Sequence, residues 1–441
     1  MNPSMAEGRV VSVIGAGYVG LVTSVGLATL GQTVEVIETQ PERLESLRRG
    51  VVPIHEPGVQ AALDELSGSG RLTFAAAPTR VADVTLICVG TPIDDAGNSD
   101  LSQLRAALHE LGAGATVQGP IVIRSTMPPG ATRRVVAEFG LPRELVLSNP
   151  EFLRQGTALA DFLHPSRIVL GHFPEATPAT ISIVADLFRV IEAPLIVVDV
   201  TAAELIKNGA NAFLALRLSF ANELAALCEE LGTDVGPVLE AMVRDPRLMS
   251  LAVQPGYGFG GSCLPKELMV LTATGAELGL PMQVTRSASD ANESHQRRLV
   301  ERIESAVGPL RGRRIGVLGL AFKAGTDDVR SSPALAVASG LIDAGAHVRA
   351  YDPHASSNAA RVVPALEIVA SAEAAAQDAD VLAILTEWPE FKDLDLDRIK
   401  AVMAQPLIID GRRLLDPERV REAGIRYLAT GSADEPRMTA T

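Results

Sequence analysis

Short, nearly unbroken apolar runs mark roughly the first 200 residues: VVSVIGAG (10–17), TVEVIE (33–38), VTLICVGTP (84–92), IVIRST (121–126), LVLSNP (145–150) and LIVVD (195–199). Segments with helical periodicity separate them. Strands alternating with helices predict right-handed crossovers and a parallel sheet. From Thr201 the pattern changes. Thr201 and Glu204 have capping-box spacing, and helical periodicity then continues to Gly232, about 30 residues or roughly 45 Å. A helix of that length bridges domains or pairs with a copy of itself. A second strand–helix series starts at Arg313, with RRIGVLGLA, HVRAYDP, VLAILTEW and PLIIDGR, and the tail after about Ala429 is small and polar, a composition that predicts fraying.

Gly15, Gly17 and Gly20 form G-x-G-x-x-G between the first strand and a helix reaching about Leu30. In that context the glycines serve a tight turn, close backbone approach to a pyrophosphate, and close helix–strand packing. Glu38 ends the second strand, 18 residues past Gly20, where a carboxylate accepts from ribose hydroxyls and repels a 2′-phosphate. NAD is therefore the expected cofactor. The alternative is a glycine turn that serves packing alone. The expected fold class is α/β: two Rossmann-like doubly wound domains joined by a helical middle domain with a long central helix. The divisions fall at residues 1–200, 201–305 and 306–441.

Composition narrows the partners. With 39 basic and 53 acidic side chains the net charge is −14, which argues against nucleic acid and anionic membrane surfaces. Three cysteines (Cys88, Cys228, Cys263) make no disulfide framework and fit a reducing compartment. The opening MNPSMAEGRV has neither a basic nor an apolar leader region, and no apolar run approaches membrane length, so a cytoplasmic protein is expected. No metal site is expected.

The segment PGYGFGGSCLPKE places four glycines (Gly256, Gly258, Gly260, Gly261) just before Cys263, with Leu264-Pro265-Lys266-Glu267 as a helix start. Cysteine at a helix N-terminus is favoured as thiolate, which makes Cys263 a candidate nucleophile. Cys88, in a strand, and Cys228, on the long helix, read as small hydrophobes. On that helix Lys207 and Asn211 share a face, either as a solvated pair or as a functional one, and Gly209 between them suggests close approach by another group. Glu151 follows a strand's C-terminal end, where such sheets place ligands, though a plain surface glutamate fits equally well.

The motifs GAGYVG, ICVGTP, RSTMPPG, NPEFLRQGTALADFLHP, KNGANAF, GYGFGGSCLPKE, FKAGTDDVRSSP and DGRR occur in the order seen in the UDP-glucose/GDP-mannose dehydrogenase family, which the chain resembles from about residue 9 to 428. The resemblance implies an NAD-dependent four-electron oxidation of a nucleotide sugar and a homodimer. It implies Cys263 as nucleophile, Lys207 and Asn211 holding an oxyanion, Thr126 positioning a water, and Glu151 as acid/base in thioester hydrolysis. For NAD it implies Gly15, Gly17, Tyr18, Val19, Gly20, Glu38, Arg43, Val89, Gly90, Thr91, Ser125, Thr126, Gln155 and Arg330. For the nucleotide sugar it implies Glu151, Phe152, Leu153, Arg154, Gln155, Lys207, Asn211, Tyr257, Gly258, Phe259, Gly260, Lys323 and Arg412, with Arg247 reaching across the dimer.

The chain departs from the family pattern at Glu267, where Asp is usual as an aid to the hydrolytic water, at Gln155, where Glu is common, and at Asn208-Gly209. DPRL and DFLHPSRIV favour the UDP-glucose branch, while SCLPKE and KAGTDD also suit the GDP-mannose branch. A relative acting on a UDP-N-acetylhexosamine, and a catalytically silent NAD and nucleotide-sugar sensor, are the other readings. The intact Cys263, Lys207 and Glu151 argue against the last.

Overall fold

A computed structural model describes residues 8–113, 118–251 and 253–432. The chain forms two compact units, Met1–Ala210 with Met269–Leu280, and Asn211–Leu268 with Pro281–Thr441. The architecture is α/β, with a Rossmann-like parallel sheet in each unit and a helical middle region.

The first unit holds strands β1 (Val10–Ile14), β2 (Thr33–Ile37), β3 (Leu72–Ala75), β4 (Val84–Ile87), β5 (Ile121–Ile123), β6 (Val146–Ser148), β7 (Ile168–His172) and β8 (Leu195–Asp199), in the order β3-β2-β1-β4-β5-β6-β7-β8. Helices cover both faces, so the central strands are apolar without alternation: every residue of β4 (VTLI) is buried. The strand order reverses between β1 and β4, and that switch point is where such sheets bind ligands.

One expectation is corrected here. The sheet is parallel only through β6; β7 runs antiparallel to β6, and β8 follows β7. Asn149, just past β6, donates from Nδ2 to the Val169 carbonyl near the start of β7 at 2.8 Å, so the chain turns back at the sheet end it has just reached. Apolar periodicity reports a strand but not its direction. β3 and β7 are additional strands that the apolar runs did not single out.

The second unit holds β9 (Arg314–Leu318), β10 (His347–Tyr351), β11 (Glu367–Ile368), β12 (Val381–Ile384), β13 (Leu407–Asp410) and β14 (Arg426–Ala429), all parallel, in the order β11-β10-β9-β12-β13-β14. The helix Gln283–Val307 buries Leu299, Ile303 and Val307 in its core with Ile315 and Val317 of β9. Order persists past Ala429: Gly431 N donates to Glu229 Oε1 at 2.7 Å, so the expected fraying does not begin there, and the remainder of the tail lies outside the described residues.

The long helix runs Val200–Leu231. Its cap is not the expected capping box. Asp199 accepts from Thr201 N at 3.0 Å, while Glu204 turns away and accepts from Gly130 N at 2.6 Å and Thr132 N at 2.8 Å. The Glu204 carboxylate thus caps the helix Ala131–Phe139, which follows RSTMPPG. Local spacing favoured a local cap; two orphan backbone donors brought close by the fold outbid it. No helix among the described residues is long and apolar enough to cross a membrane.

Candidate active site

In the first unit, Gly15 has φ +95°, and a Cβ on Gly20 would stand 1.8 Å from the Gly15 carbonyl oxygen, so neither position admits a side chain. Over Gly17 the space is open. The Tyr18–Thr29 helix begins directly after it, aiming orphan N–H groups at that opening. Glu38 is almost fully buried. Its Oε2 accepts from Ala16 N and Arg43 Nη1, both at 3.1 Å, and its Oε1 accepts from Gln40 N at 2.8 Å. Glycine loop, Glu38 and Arg43 are therefore one assembly, fit to hold a dinucleotide's pyrophosphate and ribose.

The next expected cofactor residues are clamped together at the ends of β4 and β5. Ser125 Oγ donates to the Val89 carbonyl at 2.7 Å, and Thr91 Oγ1 donates to the Thr126 carbonyl at 2.8 Å. Asn208 holds the same stretch from the long helix, donating to the Met127 carbonyl at 2.9 Å. Nothing in sequence pointed Asn208 or Glu204 to this loop; they fix the loop bearing Thr126.

Past β6, Glu151 is 6% exposed and Lys207 3% exposed, with Lys207 Nζ 2.9 Å from Glu151 Oε1. Leu153 N donates to Glu151 Oε2 at 2.6 Å. Burial alone would push the Glu151 carboxyl up; the Lys207 ammonium, the Leu153 N–H and the Arg124 guanidinium overcome it and hold the group below the usual carboxylate value. The two side chains that spacing left open, as surface groups or as functional ones, are a buried ion pair. Lys207 Nζ also lies 5.6 Å from the centre of the Phe152 ring, and Arg167 stacks on that ring at 3.9 Å. Leu153 packs against the core, Gln155 is half-buried, and Arg154 is exposed and bonded to Asp161 at 2.6 Å.

Arg124 itself is a residue the sequence reading missed. It is buried, bonded to Thr23 Oγ1 at 2.9 Å and to the Asn149 side chain, and its cue was the charge at the end of an apolar strand. Gly209 is exposed, and no other part of the chain lies within 4 Å of where its Cβ would be, so the expected close approach is absent among the described residues.

The second unit holds Asn211, Arg247, Tyr257–Gly260, Cys263, Glu267, Lys323, Arg330 and Arg412. Cys263 is exposed, whereas Cys88 and Cys228 are buried, and burial pushes the Cys88 thiol up to about 12. The Cys263 carbonyl accepts from Glu267 N at 2.9 Å, the first bond of the helix Leu264–Glu277, so the thiol stands at a helix N-terminus as expected. Glu267 is buried, Lys323 half-buried, and Arg330 bonds Asp328 at 2.6 Å.

The glycine run is explained by close packing. A Cβ on Gly260 would meet the Ser331 carbonyl oxygen at 2.1 Å, and one on Gly261 the Phe322 ring at 2.7 Å. Two asparagines hold the loop: Asn222 Oδ1 accepts from Gly256 N at 2.7 Å, and Asn292 bonds both N (2.8 Å) and O (3.0 Å) of Phe259. Arg412 stacks on the Tyr257 ring at 4.6 Å and donates to the Gly258 carbonyl at 3.2 Å. Arg247 projects outward, paired with Asp245.

Three domain descriptions match the chain: the NAD binding domain (residues 9–192), central domain (201–294) and UDP binding domain (316–417) of the UDP-glucose/GDP-mannose dehydrogenase family. The chain belongs to this family. It is an NAD-dependent dehydrogenase with a nucleotide-sugar-binding domain. UDP-glucose/GDP-mannose dehydrogenase relatives include the UDP-glucose 6-dehydrogenase TuaD of Bacillus subtilis, 37% identical with 96% of this chain and 93% of that one covered. The UDP-glucose 6-dehydrogenase of Rhizobium meliloti is also 37% identical, over 96% and 100%. Among solved structures, a UDP-glucose dehydrogenase from Pyrobaculum islandicum is similar at a TM-score of 0.88 and 38% identity, covering 98% of this chain and all of that one. A UDP-D-ManNAc dehydrogenase from Pyrococcus horikoshii gives 0.84 and 28%, over 96% and 100%.

Proposed function

We propose that the protein oxidises the C6 alcohol of UDP-glucose to the carboxylate of UDP-glucuronate through a thioester on Cys263. The observation that carries this reading is Cys263 itself, an exposed thiol at a helix N-terminus behind a tightly packed glycine loop, where the helix dipole favours thiolate. The relatives' UDP-glucose activity supports the substrate.

NAD, when bound, accepts the hydride at each of two oxidation stages. In the first, Thr126 positions a water that takes the hydroxyl proton as the C6 hydride leaves, giving the aldehyde. The Cys263 thiolate adds to the aldehyde carbon and forms a C–S bond, so the aldehyde does not escape. Lys207 and Asn211 meet the negative charge that develops on oxygen. Loss of the second C6 hydride from this hemithioacetal leaves the thioester. Water then adds, Glu151 takes its proton, the C–S bond breaks, and the thiolate is restored. Glu151 enters that step as a carboxylate paired with Lys207. Glu267 stands where the family's Asp assists this water. Residues 1–200 serve NAD, 201–305 carry the cysteine loop, and 306–441 bind the UDP moiety with Lys323 and Arg412.

We further assign a homodimer, supported by the exposed apolar side chains Phe213, Phe220, Leu227 and Leu231 along the long helix. Arg247, 87% exposed, would exchange its pairing with Asp245 for a partner's sugar diphosphate. An exposed catalytic thiol also fits the reducing cytoplasm.

The test is NADH release with UDP-glucose, GDP-mannose and UDP-N-acetylhexosamines, counted per sugar. Two NADH per UDP-glucose, with the highest kcat/KM of the panel, is expected. A higher kcat/KM for another sugar overturns the substrate, and no NADH from any sugar indicates a sensor.

A further inference from the structure

Glu56 has no part in the chemistry above, yet it is 6% exposed and accepts three hydrogen bonds from two distant segments. Its Oε2 accepts from the Tyr18 hydroxyl and from Gly156 N at 2.7 Å, and its Oε1 accepts from Ala158 N at 2.8 Å. Tyr18 opens the helix whose N-terminus faces the dinucleotide site. Gly156, with φ +87°, and Ala158 close the segment that starts at Glu151 and carries Phe152 to Gln155. One buried carboxylate therefore joins the cofactor loop to the segment assigned to the sugar. Burial first, then Glu56 and Glu151, push the Tyr18 phenol far above its ordinary range, so it stays a neutral donor to Glu56.

We propose that Glu56 and Tyr18 are positioning residues that couple the two ligands, so that an occupied dinucleotide loop orders the 151–158 segment and tightens nucleotide-sugar binding. The proposal rests on the assignment of Phe152 to Gln155 to the sugar. A ligand seated over Gly17 fixes the first turn of the helix and with it the Tyr18 ring. The fixed hydroxyl orients Glu56, and the other two bonds of Glu56 then hold Gly156 and Ala158. Each ligand restricts the motion of bonds that the other would otherwise have to restrict, so the second to bind has less entropy to lose. Coupling of this kind is reciprocal, so the sugar tightens the cofactor by the same factor.

The experiment measures the Kd of UDP-glucose by calorimetry with and without saturating NADH, a combination that cannot turn over. Wild type is expected to bind at least about fivefold more tightly with NADH, the lower end of the range typical of coupled sites. Tyr18→Phe, which deletes one bond of the relay, should lose the enhancement at NADH concentrations shown to saturate the variant. A tie serving stability alone would leave that ratio unchanged. A Tyr18→Phe protein that retains the ratio, or a wild type whose ratio is one, overturns the proposal. If Tyr18→Phe loses its thermal unfolding transition, Glu56→Gln carries the same test with the same two outcomes, since an amide cannot accept all three bonds. If wild type turns over another nucleotide sugar of the panel instead, the substrate assignment fails on its own, and the ratio is measured with that sugar.

Discussion

Lys207 Nζ lies 2.9 Å from Glu151 Oε1, and both side chains are buried. Removing one partner leaves an uncompensated buried charge, which costs about 3–5 kcal/mol. Glu151→Gln is therefore expected to destabilise the protein by about that much at pH 7, while the double variant with Lys207→Met recovers most of the loss. Chemical denaturation checks both.

The same pair sets a pH dependence. Glu151 is held below its ordinary value of 4.5, so its contribution is fully present above that value and is lost as pH falls through the lower folded value. The stability gap between wild type and Glu151→Gln should be constant near neutrality and shrink below about pH 4.5. A gap that widens on acidification contradicts the assignment.

For Cys263, replacement by serine exchanges a thiol of accessible ionisation for a hydroxyl without one. Turnover should fall ~10³-fold or more, with NAD and UDP-glucose binding close to wild type. Slow product should be aldehyde or stalled ester, with close to one NADH per sugar. Uronate at near wild-type rate with two NADH per sugar would exclude the covalent route.

Cofactor choice is expected to follow from Glu38, whose buried carboxylate accepts from Ala16 N, Gln40 N and Arg43 and is proposed to take the ribose. NAD should be preferred over NADP by at least tenfold, about 1.4 kcal/mol, and Glu38→Ala should narrow the ratio of their kcat/KM values. Equal kcat/KM values for NAD and NADP in wild type contradict this reading.

The proposed homodimer, with Arg247 serving the partner's site, is tested by mixing. Arg247→Ala and Cys263→Ala chains, each inactive alone, should regain activity when subunits exchange. Demonstrated heterodimers without activity would show that Arg247 does not complete the partner's site.

The sequence by itself determined the two strand–helix series, the dinucleotide loop with Glu38, the long helix and the helix start at Cys263. Each of these is a local pattern: an apolar run, a glycine spacing, a carboxylate at a strand end, a proline in a first turn. What it left open depended on contacts between residues far apart in the chain. Lys207 and Glu151 are 56 positions apart, so whether they were solvated or paired followed from burial that spacing does not encode. Glu204 had the spacing of a local cap, and only the fold offered it Gly130 N and Thr132 N instead. The reversal at β7 followed from where the chain after β6 could turn back, signalled by the Asn149–Val169 bond. Asn222, Asn292, Arg124 and Glu56 are ordinary polar residues in sequence, and they acquired roles because backbone donors and acceptors excluded from water must find partners wherever the packed chain supplies them.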